Sequence, residues 1–145
     1  MTLTPQSVLR FVPVVVMATL IAFLSLLPAH CFKQALEPLP PILGIDKIIH
    51  ALMYAILTAT YVYALPRDRR EHLSTVLGIV FFVTLYGAAM EVCQNLFTTS
   101  RSMEFLDMCA NAAGALACSL LIYIGARRQT TVLTMKELAA QKNSK

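Results

Sequence analysis

The sequence predicts an all-α integral membrane protein, an antiparallel four-helix bundle with both termini in the cytoplasm (N-in/C-in). Three observations carry this expectation. Of 145 residues, 57% are hydrophobic and only 14% charged, where a soluble domain is roughly 45–50% apolar and about 25% charged. Four apolar stretches, bounded by prolines or charged turns, approach or reach the roughly 20 residues that a bilayer crossing needs. The 12 Lys and Arg residues are shared unequally between the two sides that four crossings create. A soluble body of this size could not bury so much apolar side chain. The net charge of +4 sits in connectors and tail, so it reports orientation and gives no sign of a nucleic-acid partner.

Each element has its own justification. Residues 1–10 form a short N-terminal segment, and the first span, 11–27, is preceded by Arg10 and closed by Pro28. This apolar run exceeds the roughly 7–15 residues of a secretory signal core, and no good A-x-A cleavage site follows, so it reads as a retained span. Residues 29–44 hold Pro38, Pro40 and Pro41 and are expected to be extended and non-helical. A second span, 45–65, stops at Pro66 and is followed by the basic turn R-D-R-R-E-H. The third, 73–97, leads into the polar turn T-T-S-R-S, and the fourth covers 105–125. Residues 126–145 read as a polar, basic tail with a short helix around 135–141.

With four spans, Arg10, Arg67, Arg69, Arg70, Arg127, Arg128, Lys136, Lys142 and Lys145 lie on one side, against Lys33, Lys47 and Arg101 on the other. The positive-inside rule puts the first side in the cytoplasm. The cysteines, Cys31, Cys93, Cys109 and Cys118, lack the close spacing of a zinc site. Three lie in apolar spans and read as small hydrophobes.

The same orientation gathers the polar residues of the spans at the outer end. Asp46, Lys47, His50 and Tyr54 begin the second span, Glu91 and Gln94 stand late in the third, and Asp107 and Asn111 open the fourth. Asp46, His50 and Tyr54 share a face at i, i+4 spacing, as do Asp107 and Asn111, and Glu91 and Gln94 are three apart. Glu91 lies about 9 Å below the end of its helix, where a carboxylate should face the bundle interior or a wet cavity. Taken singly, these residues have ordinary explanations. Asp46 and Asp107 suit helix N-termini, Lys47 and Arg101 can snorkel, and buried polar groups often tie membrane helices together. Taken together they predict a site. The outward N-termini of the second and fourth helices favour an anion, with Lys47 and Arg101 to hold it and Glu91 and His50 as a catalytic acid–base pair. One histidine with two carboxylates on three helices is a weak metal signature, so neither metal nor other cofactor is expected.

The segments D-K-I-I-H-A-L-M-Y (46–54), E-V-C-Q (91–94) and R-S-M-E-F-L-D-M-C-A-N-A-A-G (101–114) resemble the VanZ-like family in their order D-K-x-x-H, E-x-x-Q, R-x5-D-x3-N-x2-G. This chain has Thr99-Ser100 where the family usually carries Pro-Gly before the arginine. The resemblance, which extends over 11–125, implies a bacterial inner-membrane protein of the cell envelope, from a family named for an accessory of teicoplanin resistance. The expected function is to bind or modify an anionic envelope lipid or lipid-linked cell-wall intermediate, with Lys47, Arg101, Asp46, Gln94, Asp107, Asn111 and Tyr54 as binding residues. A non-enzymatic scaffold for envelope-polysaccharide machinery and a small transporter are the alternatives.

Overall fold

The computed structural model describes residues 8–27, 44–98 and 104–143. Among the described residues the fold has four helices, α1 (Val12–Leu26), α2 (Ile45–Ala64), α3 (Leu73–Phe97) and α4 (Phe105–Asn143), with a 3-10 turn at Arg67–Glu71 between α2 and α3. The connector 29–44 and the turn carrying Arg101 lie almost wholly outside the described residues, and Arg101 itself and Cys31 are among those not described.

Local chemistry accounts for the helix ends. Gly44 precedes α2 with φ +78°, a left-handed conformation that glycine adopts without Cβ strain. Leu65 ends α2 in an extended conformation, as the residue before Pro66 must. Arg70 then folds back onto the end of α2. Its guanidinium donates to the carbonyls of Tyr63 (2.9 Å) and Leu65 (3.0 and 3.2 Å) and lies 4.8 Å from the centre of the Tyr63 ring. A cation is favoured there because the last carbonyls of a helix are unsatisfied and carry its negative dipole end.

Three of the helices, α2, α3 and α4, are long and apolar enough to cross a membrane. The first predicted span is shorter than that. Pro13 sits in the opening turn of α1, and 15 helical residues reach about 22 Å against a hydrocarbon core of about 30 Å. In the other direction, α4 has 39 residues and shows no break at Gly125, where the sequence places the end of the fourth span. Residues 126–143 continue as exposed helix, because the stretch holds no proline and is rich in helix formers. The side chain of Thr130 hydrogen-bonds Glu71, tying this extension to the 3-10 turn.

The bundle has an apolar core of Ile21, Tyr54, Leu57, Val62, Ile79, Val83 and Ala115, an apolar outside, and buried polar groups between its helices. Leu20, Phe23, Ile56, Phe81, Phe82, Leu96 and Leu121 are among many large side chains left exposed, while Ser25, His50, Thr58, Glu91, Gln94, Asp107, Asn111 and Ser119 are buried. Such a surface suits lipid rather than water. The closest packing is between α2 and α4. At their crossing, a Cβ on Gly114 would stand 2.0 Å from the Ala51 carbonyl oxygen, so only glycine permits the approach. Helix α1 is tied to α3 through two carbonyls: Tyr86 Oη donates to Ala18 O (2.6 Å) and Gln94 Nε2 to Ser25 O (3.0 Å).

Candidate functional site

The first turns of α2 and α4 meet the last turns of α3, and there the structure assembles one polar cluster. His50 is at its centre. Its Nδ1 lies 3.1 Å from Asn111 Oδ1 and 3.7 Å from Glu91 Oε1, and its Nε2 lies 3.9 Å from Asp107 Oδ2. Neutral imidazole has one N–H, and Asn111 Oδ1 can only accept. With the Asn111 amide oriented this way, Nδ1–H donates to Oδ1 and the lone pair of Nε2 is turned toward Asp107, while Asn111 Nδ2 is buried without a hydrogen-bond partner among the described residues.

Each carboxylate divides its oxygens between an anchor and the centre. Glu91 Oε2 accepts from the backbone N–H of Glu104 at 3.4 Å, a long bond, while Oε1 faces His50. Asp107 Oδ1 is 2.9 Å from Lys47 Nζ, while Oδ2 faces His50. The Lys47 contact lies outside hydrogen-bond direction, but at 2.9 Å it is an ion pair in all other respects. Glu91 and Asn111 are both only 1% exposed, while the side chains of His50 and Asp107 keep 10% and 13% exposure, so the centre is buried but reached from the rim. Tyr54, also buried, lies one turn deeper on α2, and its ring packs over Gly87, whose added Cβ would meet both Tyr54 (3.0 Å) and the Asn111 amide (3.2 Å).

Toward the rim, Lys47 is held by three carboxylates: Asp46 (2.6 Å), Glu104 (2.6 Å) and Asp107 (2.9 Å). Its ammonium is thus already neutralised. Among the described residues, four carboxylates (Asp46, Glu91, Glu104, Asp107) face one lysine and one histidine, so this part of the site is acidic.

Asp46, Lys47, His50, Glu91, Asp107 and Asn111 come together, with Tyr54 beneath them. Gln94 is buried but turned away, its amide committed to Ser25 on α1. Arg101 lies outside the described residues. Glu104 escaped the sequence reading although it links two parts of the cluster, Lys47 through its side chain and Glu91 through its N–H. Its signal was present in the spacing, since it stands one turn before Asp107 on the same face.

Away from this end, the buried hydroxyls are self-satisfied. Thr58 donates to Tyr54 O (2.7 Å) and Ser119 to Ala115 O (2.6 Å), each within its own helix. The polar chemistry of the bundle is therefore concentrated at one end. Compared with protein families, curated proteins and solved structures, the chain matches none of them.

Proposed function

We propose that this chain is a VanZ-like protein of the bacterial inner membrane, with antiparallel spans, both termini cytoplasmic and the polar cluster opening to the extracytoplasmic side. In this reading the cluster binds or modifies the headgroup of an anionic envelope lipid or lipid-linked cell-wall intermediate, and thereby alters glycopeptide (teicoplanin) susceptibility. One observation carries it: a buried His50–Glu91–Asn111–Asp107 centre beneath a charged rim, at the end where α2 and α4 both begin. Ionisable groups are costly inside a membrane bundle and by default mark function.

The division of labour follows from the geometry. His50 stands between two carboxylates with its ring oriented by Asn111, an arrangement suited to accepting and returning a proton. The free N–H groups at the starts of α2 and α4, with Arg101, would meet the anion. Lys47 would contribute by exchanging one of its carboxylates for the ligand. Transport is disfavoured because Thr58 and Ser119, deeper in the bundle, bond their own helices and offer no polar path among the described residues.

The test is lipid analysis of the protein purified in mild detergent, compared with the bulk membrane of the expressing bacterium. The reading expects an anionic lipid enriched with the wild type and lost in R101A. In an enzyme, Glu91→Gln would also change the lipid from product to substrate, whereas in a scaffold it would leave the lipid unchanged. A bound-lipid profile that equals bulk membrane, and is the same in R101A, refutes the proposal.

A further inference from the structure

We infer that the cluster is a divalent-cation site, with His50, Glu91 and Asp107 as ligands. The inference deepens the lipid-headgroup reading and rests on it only for what the ion would do there. One ligand atom from each of these three residues lies within 4.8 Å of the other two, and all three residues are buried. They come from three different helices, so the constellation is a product of the fold and not of local sequence.

The second observation is the state of the individual oxygens. Glu91 is 1% exposed, yet its Oε1 accepts no hydrogen bond among the described residues. His50 Nδ1 is 3.7 Å away, beyond hydrogen-bond range. Asp107 Oδ2 accepts none among the described residues either, with His50 Nε2 at 3.9 Å. Each carboxylate uses its other oxygen as an anchor, Glu91 on the Glu104 N–H and Asp107 on Lys47. Asn111 takes the remaining imidazole N–H. This is the support that metal ligands characteristically receive, one atom held so that another is presented. Among the described residues Glu91 has no cation closer than the His50 imidazole, and Asp107 shares Lys47 with Asp46 and Glu104; such under-compensated charge is unfavourable in a membrane bundle, and a divalent ion would offset it.

Bonds of about 2.0–2.2 Å to imidazole nitrogen and carboxylate oxygen place ligand atoms about 3–3.6 Å apart. Nε2, the nitrogen that Asn111 leaves free, stands 3.9 Å from Asp107 Oδ2, and the three ligand atoms lie within 4.8 Å of one another, so binding would draw them inward by roughly 1 Å. One imidazole with two carboxylates suits zinc, manganese or ferrous iron better than calcium or a thiolate-seeking ion. Three protein ligands leave coordination positions open, as in catalytic rather than structural sites. An open position would accept a phosphate oxygen or water, which reconciles an acidic cluster with an anionic ligand.

The experiment uses the full chain without an affinity tag, purified in detergent, stripped with chelator, and re-equilibrated with Zn²⁺ or Mn²⁺ before desalting and elemental analysis. The wild type is expected to retain one ion per chain and to melt higher with metal than with chelator. E91Q and D107N should each bind at least about tenfold more weakly, N111A about 10–100-fold more weakly, and D68N like the wild type. Circular dichroism confirms that each variant is helical. Should E91Q or D107N fail to fold, the wild type's metal-dependent melting and N111A decide the matter. No retained ion with no shift in melting, or equal retention by wild type and the ligand variants, overturns the inference. Lipid enrichment without metal would leave the headgroup reading standing alone, and metal without lipid would leave only the ion site.

Discussion

Replacing Gly114 with alanine tests whether the cluster depends on the α2–α4 crossing. The new Cβ would stand 2.0 Å from Ala51 O, 2.7 Å from its carbonyl carbon and 2.8 Å from its Cα. All three atoms are backbone, so no side-chain rotation relieves the clash. Ordinary contact begins near 3.4 Å, so the helices must part locally by about 1.4 Å. His50 is adjacent to Ala51, and Asn111 is one turn before Gly114. A separation of that size carries their 3.1 Å contact past the roughly 3.5 Å limit of a hydrogen bond. Overpacking of this kind costs about 1–3 kcal/mol, and the lost bond adds about 1 kcal/mol. The expected destabilisation is therefore about 2–4 kcal/mol, accompanied by loss of metal or lipid binding. The assay is detergent-titrated unfolding followed by circular dichroism. Gly78 and Gly125 provide the internal controls, since an added Cβ meets nothing within 4 Å at either position. There, alanine should be neutral or stabilising by up to about 1 kcal/mol, because glycine is the poorer helix former. If G114A unfolds within about 0.5 kcal/mol of the wild type, the close crossing is not what holds the site.

Four further variants test particular contacts. R70A removes the bonds to the Tyr63 and Leu65 carbonyls and the stacking on Tyr63 and should cost about 1–2 kcal/mol in the same unfolding assay. R69A, whose one ion-pair contact among the described residues is Asp68 at 4.0 Å on an exposed surface, should cost less than about 0.5 kcal/mol. Q94A breaks the buried link from α3 to Ser25 O, leaves that carbonyl unpaired and should lower stability by about 1–3 kcal/mol. Protease cleavage near α1 should become faster while His50-dependent binding persists; unchanged cleavage would show that α1 is held by other contacts. K47M leaves Asp46, Glu104 and Asp107 facing one another without their shared cation. It should destabilise the rim by about 1–2 kcal/mol, and a thermal melt matching the wild type would mean that these ion pairs are already screened by solvent.

Much of this architecture was legible in the sequence because its determinants are local. Pro66 follows a long apolar run, where a proline ends the helix at the residue before it, and Gly44 starts one at a positive φ that other residues avoid. The apolar runs reveal the helices through burial in lipid, and helical spacing puts Asp46, His50 and Tyr54 on one stripe. The sequence also implied that Glu91 must turn inward, since a carboxylate is costly in contact with lipid. It stands 1% exposed beside His50.

Tertiary structure decided the rest. Helical spacing defines a face but not its partner, and apolar spans of uniform character carry little information about rotation around their own axes. Thus Gln94, one turn from Glu91, serves α1 instead of the cluster. Lys47, read as a cation waiting for an anion, is already surrounded by three carboxylates from two helices. Glu104 joined the site only when α4 was laid against α2 and α3. The sequence by itself determined that polar groups would collect at one end of an apolar bundle, because burial energetics act residue by residue. Only the packing of three helices, made close by Gly114, decided which oxygen faces which nitrogen, and with it the acidic character of the centre.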